Sequence, residues 1–346
     1  MKFAILYSNH TKTLSYNDDW LDAFLDSDLN IDQYNTHAMS IMDNIKLLFK
    51  YDYIILLHST NSNSFAISKL LRFGLLKLRR SKIILFIGNE YKGIPSKIKF
   101  INLNKVEYVI SQLPQDTAEW LYFNTNSKII SVPHALNPNI YKCNNSLSNR
   151  NIDVGNRSYE YPWYLGDTDR EKSLKLLEKI KNQFNLDIST DPKKRFNRKE
   201  WANFLNNCKF TISTEAGSGY LERDDKTRIL VNKFVSENNN VTFEDVYNKF
   251  FANYLGDAIY GKCISSRHFD AIGTKTCQIL LEGRYNDILK PNVHYIELKK
   301  DFSNLDDVIE KMKNEKLREK IVNRTYDYAL ENHTHKHRIE YLLSQL

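Results

Sequence analysis

The stretch SSRHFDAIGTKTCQILLEGRYNDILKPNVHY, residues 265–295, decides how the rest of the chain is read. Ser265 and Ser266 are helix-capping residue types, placed to start a helix near Arg267. A helix start offers free backbone N–H groups and partial positive charge, which suits a diphosphate. Arg267 can hold phosphate oxygens in a fork. Asp270, three residues on, can accept hydrogen bonds from ribose or sugar hydroxyls. Gly273-Thr274-Lys275-Thr276 then makes a tight turn, and 278–281 reads as a buried strand ending at Glu282-Gly283. An ordinary capped surface helix, with Asp270 satisfying the helix dipole, fits the same residues.

Working outward, helix and strand signals alternate along the whole chain. Residues 2–7, 53–58 and 82–88 are short, nearly continuous apolar runs of the kind buried in parallel sheets. Residues 106–111 and 128–132 add two more strands, and 41–49 and 64–78 read as helices. The expected carboxyl ends of these strands are polar: Ser8-Asn9-His10, His58-Ser59-Thr60, Asn89-Glu90-Tyr91 and Pro133-His134. In open α/β sheets, ligands bind beyond those ends. Residues 136–151 are rich in Asn and Ser and read as a linker. A second series follows, with strands at 151–154, 186–189, 210–213 and 278–281. Its helices are expected at 170–184, 302–312 and 314–330, and a last one at 336–345. The expectation is an α/β protein of two Rossmann-like domains facing each other across a cleft, divided as 1–137, a 138–150 linker, 151–330, and a C-terminal helix at 331–346 packing back on the first domain.

Composition narrows the function classes. The 346 residues are 42% hydrophobic and 26% charged, enough for two ordinary cores, with a formal net charge of +7. That surplus suits phosphorylated ligands or an anionic surface. Zinc-finger and RNA-module signatures are absent, so no nucleic-acid partner is expected. No apolar run approaches the roughly 18 residues that span a bilayer. The opening MKFAILYSNH reads as a first strand rather than a signal peptide. Cys143, Cys208, Cys263 and Cys277 lack Cys-x-x-Cys spacing and read as reduced thiols in a cytoplasm.

Other residues carry chemistry, each beside a plainer reading. Gly273–Thr276 lacks P-loop spacing; Lys275 either approaches phosphate or is a solvated turn lysine. Small residues at 213–218 let a ligand near backbone N–H groups, with Glu215 on a sugar hydroxyl; an ordinary strand-to-helix turn explains them equally. Arg157 and Arg170 flank Tyr159, Tyr161, Trp163 and Tyr164, an arrangement for base and diphosphate or for interdomain packing. Glu90 and His58 are candidate bases toward an acceptor hydroxyl, or turn-stabilising groups. Residues 64–82, SFAISKLLRFGLLKLRRSK, read either as a basic amphipathic helix for an anionic membrane face or as a core-facing helix. His333, His335 and His337 lack metal-ligand spacing, and no metal is expected.

With these residues in view, the chain resembles the GT-B glycosyltransferases, in particular the group-1, CgeB-like family. The likeness runs from about residue 80 onward. It is carried by Ile87-Gly88-Asn89-Glu90-Tyr91-Lys92, by Pro133-His134-Ala135-Leu136-Asn137 and by residues 211–218. Above all it is carried by Arg267-His268-Phe269-Asp270-Ala271-Ile272-Gly273-Thr274-Lys275, similar to the family's Arg-x-Phe-Glu-Ala-x-Ala-x-Gly. Asp270 stands where the family has Glu, and Lys275 where it has a small residue. Residues 221–262 form an insertion with an acidic start, Glu222, Asp224 and Asp225.

The resemblance implies a metal-independent glycosyltransferase with no tightly bound cofactor. It maps nucleotide binding to Arg267 and Asp270; the residue readings above add Arg157, Glu215, Ser265, Thr274, Lys275 and Thr276 to the expected nucleotide-sugar donor site. The resemblance also implies an acceptor approached from the first domain; with the residue readings above, the expectation is a surface-glycan or lipid-linked acceptor, Glu90 or His58 as base, and an enzyme cytoplasmic or peripheral at the inner membrane face. The rival readings are a GT-B epimerase or hydrolase of sugar nucleotides, and a non-catalytic binder of sugar nucleotides or glycans.

Overall fold

The computed structural model describes residues 1–8, 15–72, 74–252 and 259–346, so Asn9 and His10 lie outside the described residues. The first half alternates β1 Lys2–Tyr7, α1 Ser15–Leu25, β2 Asn30–Asn35, α2 Ile41–Phe49, β3 Tyr53–Leu56, α3 Lys69–Arg72, β4 Lys82–Phe86, α4 Ile94–Leu103, β5 Tyr108–Ser111, α5 Gln115–Tyr122 and β6 Lys128–Ser131. Its six strands form one parallel sheet in the order β2-β1-β3-β4-β5-β6. Successive residues bury on opposite faces. Phe3, Ile5, Ile55, Ile84 and Ile110 join one core, and Ala4, Leu6, Ile54, Ile83 and Val109 the other. That is why these strands read as continuous apolar runs. β2, NIDQYN, escapes such a reading because it is a partly exposed edge strand.

The second half runs β7 Ile152–Arg157, α6 Asp169–Leu177, β8 Leu186–Ser189, α7 Arg198–Asn206, β9 Cys208–Ser213, β10 Ala216–Ser218, α8 Lys226–Glu237, α9 Phe243–Phe250, β11 Gly261–Cys263, α10 Ser266–Gly273, β12 Cys277–Leu281, β13 Ile296–Leu298, α11 Leu305–Lys313, α12 Glu315–Asn332 and α13 His335–Ser344. Five strands make a parallel sheet, β13-β12-β9-β7-β8, and β10 pairs antiparallel with β11. α13 returns to the first half. Ile339 and Leu342 bury beside Trp20 and Phe24, Tyr108 Oη donates to the Leu346 carbonyl at 2.9 Å, and Lys128 Nζ to that of Gln345 at 2.8 Å.

Two expectations change. The single helix expected over 64–78 does not form. It is broken into α3 and a 3-10 turn, Leu75–Leu78, whose Leu71 and Leu76 face the first core and are not available to a lipid surface. The expected phosphate turn 273–276 lies at the carboxyl end of α10, not at its start. There Arg150, from the linker, donates to the carbonyls of Thr274 and Lys275 at 2.6 and 3.2 Å and to Thr276 Oγ1 at 3.2 Å. Gly273 lets the Tyr141 backbone pass close to the end of α10: a Cβ there would collide with the Tyr141 carbonyl oxygen.

Candidate functional site

The strand order of each sheet reverses beside its first strand, between β1 and β3 and between β7 and β9. Those are the crevices where open parallel sheets take ligands. The carboxyl ends of both sheets line one cleft of about 610 Å³, within the range of a small-molecule site. The first half contributes Tyr16, Ser59, Ser62, Asn89, Glu90, Tyr91, Lys92 and His134 to its lining. The second contributes Arg157, Tyr159, Tyr161, Arg170, Arg195, Arg198, Trp201, Ser265, Arg267 and Asp270.

The α10 start supplies the core of the second half's contribution. Ser265 is its N-cap, and the Ser265 N–H donates to His268 Nδ1 at 3.0 Å. Arg267 is partly buried among cations: desolvation, with the nearby Arg170 and Arg195 charges, pulls its guanidinium down to about 10. Nη1 of Arg267 donates to the Arg157 carbonyl at 2.8 Å, and its guanidinium stands 6.0 Å from the Trp201 ring. Arg170 stacks on Tyr161 at 3.8 Å and donates to that hydroxyl at 2.7 Å; Arg195 stacks on Tyr159 at 3.9 Å. Among the described residues, none of these three arginines is ion-paired to a carboxylate. Arg157 differs. Its Nη2 pairs with Asp187 at 2.7 Å, and its guanidinium stands 4.5 Å from the Phe204 ring and 5.1 Å from that of Phe196.

Asp270 receives the Trp201 indole N–H at 3.0 Å, and burial, with the Asp19 charge second, holds its carboxyl well above the usual carboxylate range. Three guanidiniums without a carboxylate partner, beside a carboxyl whose proton affinity burial raises, make an anion-and-hydroxyl site in a cleft walled by aromatic rings.

In the first half, Glu90 meets the cleft but is also tied down. Ser111 Oγ donates to it at 2.7 Å, Tyr122 Oη at 3.0 Å and the Gln112 N–H at 3.1 Å, while burial raises its proton affinity. Lys97, buried beneath the same loop, donates to the carbonyls of Gly88, Asn89 (2.9 Å) and Lys92 (3.1 Å). Burial brings Lys97 down to about 8.

The structure does not bring every expected residue to the cleft. His58 lies behind its wall, its ring centroid 5.5 Å from that of His134 and 5.2 Å from that of Phe86, with neither ring nitrogen hydrogen-bonded. Glu215 accepts the Tyr285 N–H at 2.7 Å and the Tyr260 hydroxyl at 3.4 Å, holding a loop instead of facing a ligand. Thr276 Oγ1 donates to the Leu205 carbonyl at 2.8 Å, and Thr274 Oγ1 to that of Asp270 at 3.1 Å. Lys275 reaches back to Asn323 on α12 at 2.8 Å. Ser265, Arg267, Asp270, Arg157 and Glu90 do meet the cleft.

Arg195, Arg198 and Trp201 were missing from the sequence reading. Their signal was the capping box Asn197/Glu200 that opens α7 with arginines on both sides of its cap, the same grammar as at Ser265. The acidic start of the insertion is not a free loop either. Asp225 Oδ2 accepts the Gly93 N–H at 2.7 Å, and Arg223 stacks on Trp120 and Phe123, so it grips the first half. Among the described residues, no group of three or more His, Cys, Asp or Glu side chains is placed to hold a metal ion, and no helix is long and apolar enough to cross a membrane.

Residues 175–344 match the family model described as glycosyl transferase-like. No curated protein matches the chain. Among solved structures, it is similar to Anabaena Alr3699/HepE in complex with UDP, at 10% identity and a TM-score of 0.50 over 100% of both chains. The same protein in complex with UDP-glucose gives 11% identity and a TM-score of 0.52, again over 100% of both. The N-terminal domain of Candida albicans trehalose-6-phosphate phosphatase matches at 7% identity and a TM-score of 0.50, covering 99% of this chain and 95% of that one.

Proposed function

The fold is GT-B and residues 175–344 belong to the glycosyl transferase-like family; from that premise we infer that the chain transfers a sugar from a nucleoside diphosphate sugar to a glycan or lipid-linked glycan acceptor. One observation carries the reading: Arg170, Arg195 and Arg267 meet at the α10 start, unpaired, in the cleft between the two sheets. A desolvated cation such as Arg267, with like charges beside it, is costly unless an anion completes it. A diphosphate is the anion that fits, stacked tyrosines offering a face for its base. HepE, in complex with UDP and with UDP-glucose, supports this choice of donor.

In the transfer, the sugar–phosphate bond breaks as the acceptor oxygen bonds to the anomeric carbon. Charge grows on the departing diphosphate, where preorganised guanidiniums and helix N–H groups stabilise it without rearranging. Asp270 accepts or donates a hydrogen bond to a sugar hydroxyl, and Glu90 is the base if the reaction inverts. Arg157, already neutralised by Asp187, serves as a wall and a backbone anchor for Arg267.

The test is turnover. The protein is incubated with nucleoside diphosphate sugars and oligosaccharide or lipid-linked glycan acceptors, and free nucleoside diphosphate is measured. Release that depends on acceptor supports transfer. Acceptor-independent release points to a hydrolase, and binding with no release under any pairing to a silent binder.

A further inference from the structure

We propose that the outer face of α2, with the adjoining residues 77–80, docks on an anionic lipid bilayer. α2 is apolar on two sides. Leu47 and Leu48 face inward. Ile41, Met42, Ile45 and Phe49 face outward, 73%, 61%, 44% and 58% exposed. Ile41, Ile45 and Phe49 repeat every four residues and form a single row along the helix. A helix that covers one core needs one apolar stripe; a second, solvent-facing one implies a partner.

The neighbouring turn completes the face. The Arg80 N–H donates to the Leu48 carbonyl at 3.0 Å, and the Arg80 guanidinium lies 5.8 Å from the Phe49 ring. Leu78 beside it is 66% exposed. Lys46 and Lys50 are already paired, with Asp43 at 3.1 Å and Asp32 at 2.6 Å. Lys77 and Arg80 are exposed, and no ion pair to a described residue neutralises them. The face is therefore an apolar row bordered by uncompensated cations.

Charge complementarity selects the occupant. Anionic headgroups meet Lys77 and Arg80 while the α2 row enters the acyl boundary. A second copy docked through the same face would crowd those cations together, and a neutral bilayer would leave them unused. The inference stands apart from the glycosyl-transfer reading, since vesicle binding is measured with no donor or acceptor.

The experiment is flotation of the full chain with phosphatidylcholine vesicles, with and without phosphatidylglycerol, at low salt, beside sedimentation of the free protein. The wild type is expected to float only with the anionic vesicles. Ile45→Glu/Phe49→Glu should abolish flotation, and Lys77→Glu/Arg80→Glu should weaken it at least about tenfold. Circular dichroism of both variants should match wild type, since these side chains are exposed. Absent flotation, equal flotation with neutral vesicles, or unchanged binding by Ile45→Glu/Phe49→Glu would overturn the proposal. So would self-association of the wild type that the same variant dissolves, which would make the occupant a second copy.

Discussion

Lys97 shows how much of the cleft is made by groups that never touch a ligand. Its ammonium gathers three carbonyls of the 88–92 loop, the loop that carries Asn89, Glu90, Tyr91 and Lys92 into the cleft. Lys97→Met keeps the stem and removes the donor, leaving buried carbonyls unsatisfied at a cost of about 1–3 kcal/mol. Urea denaturation should register that loss; an unchanged midpoint would contradict the role. The sequence displayed Glu90 as a polar strand end, but nothing in it distinguishes a buried loop anchor from one of the chain's many solvated lysines. Arg267 and Asp270 were legible because a capped helix start makes a local signal. Glu215, Thr274, Lys275 and Thr276 misled because their partners, at Tyr285, Arg150, Asn323 and Leu205, lie elsewhere in sequence, where local spacing carries no information.

At the scale of elements, three histidines from separate places converge at the cleft wall: His134 after β6, which lines the cleft, with His58 from the turn after β3 and His335 on α13 packed near it. Burial holds His134 and His335 down to about 3 and His58 well below its ordinary value. An unfolded histidine titrates near 6.5, so from about pH 6.5 downward the unfolded chain binds more protons than the folded one. Stability from these groups is present above that pH and is lost as pH falls, by up to about 1.4 kcal/mol per pH unit for each histidine. Asp19, raised to about 6 chiefly by burial, acts in the opposite sense. The decisive quantity is therefore a difference. The thermal midpoint of His335→Leu should fall less between pH 6.5 and 4.5 than that of wild type; equal slopes would contradict the account. The strands of this layer were easy to read because buried parallel strands are apolar throughout. β2 and the broken 64–78 segment were not, one being a polar edge and the other hiding two leucines inside a basic sequence.

Across the whole molecule, the two halves are tied by contacts of unequal weight. Arg198 on α7 pairs with Asp19, and with Asp22 at 2.7 Å, both on α1. Asp19 is nearly inaccessible there, so Arg198→Ala strands a buried carboxylate and should cost several kcal/mol, about 3–5 by analogy with broken buried pairs. Arg284 pairs with Asp116 at 3.0 Å, but both are open to solvent. Arg284→Ala should cost less than about 1 kcal/mol. Denaturation of the two variants checks the ordering, and similar losses would show that burial does not set it. The two-sheet plan was legible from alternation alone. The clasp of the insertion on Gly93 and Trp120 was not, because an acidic loop start reads the same whether it is solvated or docked.

The measurement closest to the central claim is calorimetric titration of the protein with a panel of nucleoside diphosphates and their sugar conjugates, repeated on Arg267→Ala. The account predicts one tight binder at one site per chain, weakened about 10- to 100-fold by the substitution, as expected for losing a charge-assisted phosphate contact. Failure of every member to bind, or equal binding by Arg267→Ala, would contradict it.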